Sequence, residues 1–232
     1  MRLRKWESLP EFMQCDEVKE YYDVLAAKQT QLILKRLFDV IVASVMLAFL
    51  AIPMCLIAIL IKLDSPGPVF YRQERVTTYG KKFKIHKFRT MVNNADKIGS
   101  TVTVDGDARI TKVGSKLRDL RIDEFPQLID VIEGNMSFVG TRPEATKYVE
   151  QYTKEMNATL LLPAGITSEA SIRYKDEAEL LNAADNVDKT YIDEILPAKM
   201  KWNLDSIKNF SFANEIKTMF RTVFAVLGKE YE

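Results

Sequence analysis

Two adjacent acidic residues, Asp123 and Glu124, have the surroundings that phosphate chemistry needs. Arg118 and Arg121 lie within two helical turns upstream, and Pro126 suits the first turn of a helix that would follow. Helix N-terminal amides and arginines bind phosphate, and an ionised carboxylate among them can act as a nucleophile while its neighbour holds a divalent metal. The pattern indicates phosphate chemistry, although an acid pair at a helix start can also be a simple cap.

An uncharged apolar run from Val40 to Ile61 indicates a membrane segment. Its 22 residues would reach about 33 Å as a helix, which is enough to cross a bilayer once. Two features favour another arrangement. Pro53 would bend the helix, and basic residues flank both ends, whereas a spanning helix normally carries its Lys and Arg on the cytosolic side. These residues leave a single-pass anchor and a re-entrant helix both open.

The composition excludes several classes of protein. A net charge of +1 argues against a chain built mainly to wrap nucleic acid, and 47% hydrophobic with 28% charged residues argues against wholesale disorder. Cys15 and Cys55 are interpreted as reduced thiols, because they form neither a disulfide framework nor a metal cluster. His86, the one histidine, stands near no nucleophile motif and is interpreted as a surface or strand residue.

Local patterns predict an α/β protein that is mostly helical with one small β-hairpin. The hairpin joins strands at 69–76 and 83–89 across a turn at 79–82. The other expected elements are helices at 110–120, 126–134 and 147–162, a buried stretch at 136–140, and loops at 101–107 and 163–167. Apolar residues spaced helically from Ile207 to Leu227, with lysine and arginine among them, predict an amphipathic helix. That helix either lies in a membrane interface or packs on the core.

Six motifs occur in a fixed order along the chain. They are Lys35 to Asp39 before the apolar run, Gly67 to Phe70 with Gln73 to Arg75, Lys87 to Met91, Asp123 to Leu128, Gly134 to Gly140, and Arg142-Pro143. In this order they resemble the bacterial sugar transferases known as monotopic polyprenyl-phosphate phosphoglycosyl transferases. An ordered series is more specific than any one motif, and the similarity covers about residues 35 to 227.

The resemblance implies an enzyme that moves a sugar-1-phosphate from a UDP-sugar to polyprenyl phosphate and releases UMP. In this family an aspartate attacks the β-phosphate and forms a covalent phosphosugar intermediate, which the lipid phosphate then resolves. The family also has a re-entrant membrane helix that bends at a proline, matched here by Pro53. The residue before that proline is commonly serine, whereas here it is Ile52, so the bend needs another source of stability.

The resemblance also assigns roles to individual residues. Asp123 matches the nucleophile, Glu124 matches a glutamate linked to catalysis, and the two are expected to hold Mg²⁺. The expected substrate-binding residues are Lys87, Arg89, Arg118, Arg121, Arg142, Pro143, Arg173 and Lys175, where either of the last two would take the role of a phosphate-binding arginine. The expected lipid or membrane residues are Lys35, Arg36, Asp39 and Pro53.

Three regions follow from these expectations. Residues 1–34 form an N-terminal extension that lies on the surface or packs on the main domain, 35–62 form the re-entrant membrane helix, and 63–232 form the catalytic domain with interfacial helices. The expected site of action is the cytoplasmic face of a bacterial inner membrane. The expected partners are a UDP-sugar, polyprenyl phosphate and membrane lipids, without nucleic acid, and the chain allows a homodimer.

Two other functions stay open at this point. A glycosyltransferase that moves only the sugar would release UDP in place of UMP. A membrane-anchored scaffold without catalysis would use its basic face to bind anionic lipid. The identity of the nucleotide product separates the two enzymes, and an Asp123→Asn change separates either enzyme from the scaffold.

Overall fold

The computed structural model describes residues 1–95, 107–174 and 186–226. This described part is mostly helical with three two-stranded sheets, which confirms the expected mostly helical class and adds a sheet beyond the expected hairpin. The α-helices are α1 (Asp16–Ala27), α2 (Gln29–Asp64), α3 (Lys112–Asp119), α4 (Gln127–Glu133), α5 (Thr146–Val149), α6 (Glu169–Arg173), α7 (Val187–Thr190), α8 (Leu196–Lys208) and α9 (Phe212–Val226). The strands are β1 (Phe70–Tyr71), β2 (Glu74–Val76), β3 (Lys82–Lys84), β4 (Lys87–Phe88), β5 (Met136–Val139) and β6 (Ala164–Thr167). Most of the expected loop at 101–107, together with Lys175 and Leu227, lies outside the described residues.

Helix α2 contains the whole apolar run and extends beyond it at both ends, with Pro53 inside the helix. One face is buried against the rest of the protein at Ala43 and Ile61. The opposite face leaves Phe49 79% exposed and Ile52 75% exposed. Among the described residues, α2 is the one helix that is long and apolar enough to cross a membrane. Its exposed apolar face is the kind of surface that lipid covers.

The residues before α2 share a hydrophobic core with residues that lie far after it. Val18 and Leu25 repeat at helical spacing along α1 and are buried, together with Met13, against Leu161 and Phe210. Of the two placements that the sequence allowed for residues 1–34, the structure has the packed one.

The expected hairpin is present and is interrupted in the middle. Phe70 pairs with Phe88 and Tyr71 with Lys87 in one antiparallel ladder, and β2 pairs with β3 in a second. The chain turns at Thr78–Gly80, where Tyr79 and Gly80 both adopt positive φ. Since side chains alternate along a strand, the odd-numbered residues of the paired strands share one face, which includes Tyr71, Arg75, Phe83 and Lys87. Lys87 on this face contacts the acid pair.

The expected turn at 163–167 is wrong for all but Pro163, because Ala164–Thr167 form β6, which pairs in parallel with β5. The expected buried stretch at 136–140 is confirmed as β5, whose four residues are all buried. Two glycines let the backbones approach beside this pair: a Cβ added to Gly165 would lie 2.2 Å from main-chain atoms of Gly140. The partner strand lies too far along the chain for a local pattern to reveal it.

Two expected helices are divided in the structure. The segment 147–162 contains most of the short α5 and a 3₁₀-helix at Glu155–Leu161, separated by residues 150–154. The amphipathic pattern from Ile207 onward runs through the end of α8 and then α9, with Phe210 buried between them. On α9, Phe220 and Val223 are 62% and 55% exposed, so this helix keeps an apolar outer face.

Candidate active site

The acid pair lies in a single 3₁₀ turn, Ile122–Glu124, between α3 and α4. Arg121 begins this turn in the left-handed region with φ of 56°, a conformation that costs a non-glycine residue about 1–2 kcal/mol. Pro126 precedes α4 and Gly134 ends it in the left-handed conformation, which confirms the expected bounds of that helix. The sharp turn at Arg121 directs the two acids towards the hairpin.

Lys87 on β4 bridges the two acids. Its Nζ lies 2.7 Å from Asp123 Oδ2 and 3.3 Å from Glu124 Oε1. Arg142 adds a second cation, because its guanidinium donates to the same oxygen of Glu124 at 2.6 Å. Asp123 is only 2% exposed, so Lys87 covers the carboxylate that the sequence predicts to be the nucleophile.

Glu124 is held in its charged form despite its burial. Burial alone would raise the pKa of its carboxyl, but Arg142, Lys87 and Arg121 together hold that pKa well below its ordinary value. A carboxylate kept ionised among cations can accept a proton only weakly. It can bind a cation or orient the lysine that it contacts.

A cavity of about 270 Å³ opens beside these residues. It is lined by side chains from the hairpin, the segment after it, α3 and the segment after β5, among which are Phe70, Gln73, Arg75, Lys87, Arg118, Glu124, Gln127, Arg142 and Pro143. Burial lowers the pKa of Arg118, whereas the charge of Asp123 opposes this shift. The Nε of Arg118 donates to Thr90 Oγ1 at 2.8 Å, which fixes the guanidinium in place. Such a cluster of cations beside two carboxylates is suited to a phosphorylated ligand.

The structure brings together four of the expected substrate-binding residues, since Lys87, Arg118, Arg142 and Pro143 all line this cavity with Glu124. Arg121 is exposed and is not among the lining residues, although its charge acts on Glu124. Their roles in binding a substrate stay predictions.

Arg89 also lines the cavity, but its guanidinium is directed to the end of α2. It donates to the carbonyls of Pro66 at 2.6 Å and Ser65 at 2.7 Å. These bonds tie the end of the apolar helix to the strand that carries Lys87. A role for Arg89 in holding α2 is therefore visible, whereas its expected role in substrate binding stays a prediction.

Lys35 and Arg36 were expected to contact lipid head groups, but in the structure both side chains bond to other parts of the protein. Lys35 is buried, and its ammonium donates to Val139 O at 2.9 Å and to Glu215. Arg36 donates to the carbonyls of Val131 and Ile132 and so caps the end of α4. Unpaired carbonyls at that helix end attract the guanidinium more strongly than water does.

Asp39 is turned inward in the same way. Its carboxylate accepts from Ser137 Oγ at 2.8 Å and from the amide of Phe138 at 3.4 Å. These bonds fasten the beginning of the apolar helix to β5. Pro53, the fourth expected membrane residue, lies inside α2, and the helix continues on both sides of it.

Arg173 is not brought to the cavity. Its guanidinium stacks on the ring of Trp202, 3.8 Å from the ring centroid, and it is absent from the cavity lining. Because Lys175 lies outside the described residues, the choice between these two residues stays open.

Of the two interpretations of His86, a surface or a strand residue, the first is wrong, because the side chain is buried and the residue lies in the hairpin between β3 and β4. Asp130 on α4 accepts from the main-chain amide of His86 at 2.8 Å and contacts its Nδ1 at 2.8 Å. The guanidinium of Arg72 occupies Nε2 on the other side of the ring. His86, Asp130 and Glu133 lie close enough to hold a metal, but the contact with Arg72 leaves the ring without a lone pair for one. His86 instead ties the strand that carries Lys87 to α4.

Asp123 and Glu124 are the residues that fit the expected Mg²⁺. An oxygen of each carboxylate contacts the same lysine nitrogen, and Mg²⁺ is commonly held in proteins by one or two carboxylates together with substrate phosphates. Lys87 presently fills the place between them. The fit is therefore one of ligand type, and a metal there would replace contacts of Lys87.

Sequence reasoning gave no role to Arg75, Gln73 or Gln127, which also line the cavity. The alternation along the hairpin could have identified the first two, because residues 71, 73 and 75 share a face with Lys87. Gln127 follows the acid pair by one helical turn.

Comparison with known proteins identifies the family of the chain. The family described as bacterial sugar transferase matches residues 30–229. A UDP-N-acetylgalactosamine-undecaprenyl-phosphate N-acetylgalactosaminephosphotransferase of Aeromonas hydrophila is 34% identical over 84% of this chain and 44% of its own length. A UDP-glucose:undecaprenyl-phosphate glucose-1-phosphate transferase of Escherichia coli K12 is 37% identical over 83% of this chain and 40% of its length. The exopolysaccharide production protein PSS of Rhizobium leguminosarum is 34% identical over 85% of this chain and 97% of its length. The chain thus spans less than half of the first two relatives.

Proposed function

The chain belongs to the bacterial sugar transferase family, and from this we propose that it transfers a sugar-1-phosphate from a UDP-sugar to polyprenyl phosphate. The products are UMP and a polyprenyl-diphosphate sugar, which starts a bacterial glycan such as an exopolysaccharide. The names of the relatives support this reaction class, since two of them state a sugar-phosphate transfer to undecaprenyl phosphate.

The observation that carries the proposal is the bridge of Lys87 between Asp123 and Glu124, beside a cavity that Lys87, Glu124, Arg118 and Arg142 line. A scaffold that only binds anionic lipid does not need a buried aspartate and a largely buried glutamate among these cations. A diphosphate ligand explains this arrangement, because its negative charges can pair with the cations in place of the carboxylates. A carboxylate is then free to react.

The proposed reaction has two steps, and each exchanges one bond to phosphorus for another. In the first step a carboxylate oxygen of Asp123 attacks the β-phosphorus, the bond to the oxygen that bridges the two phosphorus atoms breaks, and UMP leaves with that electron pair. In the second step an oxygen of polyprenyl phosphate attacks the same phosphorus. The bond to Asp123 then breaks and the free carboxylate is regenerated.

The surrounding residues support these steps. Lys87 covers Asp123 before substrate binds, and a diphosphate that attracts the ammonium would uncover the nucleophile. Arg118 and Arg142 stabilise the charge that builds on the phosphate oxygens in the transition state. Glu124 is held ionised by Arg142 and Lys87, so it serves to hold a cation or to position Lys87.

Mg²⁺ is proposed as the cofactor, with Glu124 and Asp123 as the protein residues that would hold it. When bound, the ion supplies positive charge that neutralises the phosphate oxygens. A chelator should abolish UMP release. Added Mg²⁺ should restore it, whereas the same concentration of a monovalent salt should not.

The helix α2 is proposed to be re-entrant, with both ends on the cytoplasmic side. Two observations support this. Residues before the helix share a core with residues after it, and both ends are bonded to the globular part, through Asp39 at one end and Arg89 at the other. A folded core cannot lie on both faces of a bilayer. A reporter fused to the N-terminus should therefore be active only in the cytoplasm, and a periplasmic reporter would rule out this arrangement.

The first experiment measures the nucleotide product. The full chain in nanodiscs is mixed with Mg²⁺, undecaprenyl phosphate and a panel of UDP-sugars that contains UDP-glucose and UDP-N-acetylgalactosamine. We expect UMP release that depends on the lipid and is lost in Asp123→Asn but kept in Asp119→Asn. Asp119 is a matched control because it is exposed at the end of α3, whereas Asp123 is buried in contact with Lys87.

Each other outcome contradicts the proposal in a particular way. UDP release would mean simple glycosyl transfer without the covalent aspartate. UMP release that Asp123→Asn retains would move the nucleophile elsewhere. Silence with every UDP-sugar, from protein that keeps its melting temperature, would favour the scaffold.

A further inference from the structure

Arg75 is a cation of the cavity to which the proposed reaction has assigned no role. It lies on β2 opposite Phe83, on the face that also carries Lys87, and its side chain lines the cavity. Its Nη2 donates to Gln73 Oε1 at 2.6 Å. Burial lowers the pKa of its guanidinium, and the nearby charge of Arg142 lowers it further, so the two arginines repel each other in the same cavity. A pair of arginines in this position needs counter-charge.

Glu144 provides counter-charge from the protein side. It is buried, and its charge opposes the lowering of the pKa of Arg75. Its carboxylate accepts from the hydroxyl of Tyr191 at 2.6 Å and lies 3.8 Å from the ammonium of Lys199. Lys199 in turn donates to that hydroxyl at 3.2 Å. This buried group, Glu144 with Tyr191 and Lys199, contains no residue to which the reaction has given a role.

The main chain joins the same two segments. The amide of Val76, next to Arg75, donates to the carbonyl of Glu144 at 3.0 Å. Thr146 Oγ1 donates to Glu74 at 3.2 Å, so β2 is bonded on both sides of Arg75 to the segment that carries Arg142. Tyr191 begins a π-helical turn, Tyr191–Ile195, which leads into α8. Such turns occur often at functional sites.

We propose that Arg75 binds the diphosphate of the donor and that buried Glu144 is a positioning residue that holds Arg75 on the strand bonded to the segment of Arg142. The two arginines line the same cavity and would together bind the two phosphate groups of one ligand, with Glu144 offsetting their repulsion until the ligand binds. This inference rests on the proposed function for the identity of the ligand. The anion site itself rests only on the arrangement of charges.

The test measures affinity for inorganic pyrophosphate, a UDP-sugar and uridine by calorimetry, with the full chain in nanodiscs. We expect Arg75→Gln to weaken pyrophosphate and UDP-sugar binding by about 10- to 100-fold, the scale of a charge-assisted hydrogen bond, and to leave uridine binding within about twofold. Arg75→Lys should recover part of this loss. Lys84→Gln is the matched control, because Lys84 is an exposed cation on the paired strand β3 and does not line the cavity.

Glu144→Gln separates positioning from simple charge. Removal of a negative charge near an anion site would by itself tighten pyrophosphate binding, whereas loss of positioning weakens it. We expect binding about fivefold weaker, a KM for the UDP-sugar that rises more than kcat falls, and partial rescue by Glu144→Asp. Tighter pyrophosphate binding, or equal losses for pyrophosphate and uridine, would overturn the positioning role.

The results for Arg75 are distinguishable from failure of the proposed function. If Arg75→Gln binds pyrophosphate as wild type does, the role of Arg75 is wrong even when UMP release is normal. If the wild-type protein releases no UMP but Arg75→Gln binds pyrophosphate more weakly than wild type does, the anion site is supported and the proposed reaction is wrong.

Discussion

Two clusters in this protein each pair a lysine with carboxylates, and they differ in what else holds them. In the cavity cluster, Lys87 contacts Asp123 and Glu124 through side chains alone. In the inner cluster, at the beginning of the apolar helix, Lys35 contacts Glu215 and the carbonyl of Val139. Asp39 of the inner cluster accepts from the main chain of β5.

This difference distinguishes charged groups that can bind a ligand from charged groups that hold the fold together. Side-chain contacts can be exchanged for those of a ligand without unfolding anything, and a cavity lies beside Lys87 to admit one. Main-chain contacts fix an element in place, and Lys35 is absent from the cavity lining. The cavity cluster should therefore control activity, and the inner cluster should control stability.

The largest expected effect comes from matched changes of the two aspartates. Asp123→Asn should lower UMP release by about 10⁴-fold or more, the scale seen when a covalent nucleophile is removed, with little change in melting temperature. Asp39→Asn should retain the reaction in folded protein and lower the free energy of unfolding by about 1–3 kcal/mol, because a buried ionic hydrogen bond is weakened. Turnover assays and thermal melts of both variants check the comparison. It fails if the two variants exchange their effects.

The two lysines give the next contrast. Lys87→Met should lower kcat by about 10²- to 10³-fold, as removal of one charge-stabilising donor does. Lys35→Met should lower the free energy of unfolding by about 3–5 kcal/mol, since it leaves Glu215 buried without its cation. Denaturant titrations and single-turnover kinetics measure the two effects. An inactive but fully stable Lys35→Met variant would contradict the structural role.

The smallest expected effect is in the pH dependence of stability. Arg142 and Lys87 hold the pKa of Glu124 below 4.5, so its stabilising contribution is present above pH 4.5 and is lost as the pH falls towards the folded-state pKa. Burial raises the pKa of Glu215 above 4.5, which Lys35 opposes, so protonation favours the folded state and stability from this group falls as the pH rises above 4.5.

Melting temperatures at pH 4 to 7 test this opposition, with Glu124→Gln and Glu215→Gln compared to wild type. The advantage of wild type over Glu124→Gln should shrink towards low pH. As the pH falls, the melting temperature of wild type should rise relative to that of Glu215→Gln. Parallel pH profiles for the two variants would show that the clusters do not differ in this way.

Local sequence patterns were sufficient for α2, α4 and the hairpin, although they joined two helical segments that the structure divides. The apolar run predicted α2, Pro126 and Gly134 predicted the bounds of α4, and alternation predicted the hairpin that carries Lys87. These features depend on residues within a few turns of one another, where capping and periodicity act. An ordered set of motifs was sufficient for the family, because the motif residues keep their types wherever the fold places them.

Only the tertiary structure decided where the charges point. Lys35 is bonded to a carbonyl 104 residues away, and Asp39 to a hydroxyl 98 residues away, so no local pattern could show that they turn inward. The pairing of β5 with β6 and the burial of Glu144 beside Arg75 likewise depend on distant partners. Whether a charged side chain faces water, lipid or a partner depends on the groups that surround it in the folded protein. Those groups come together only when the chain folds.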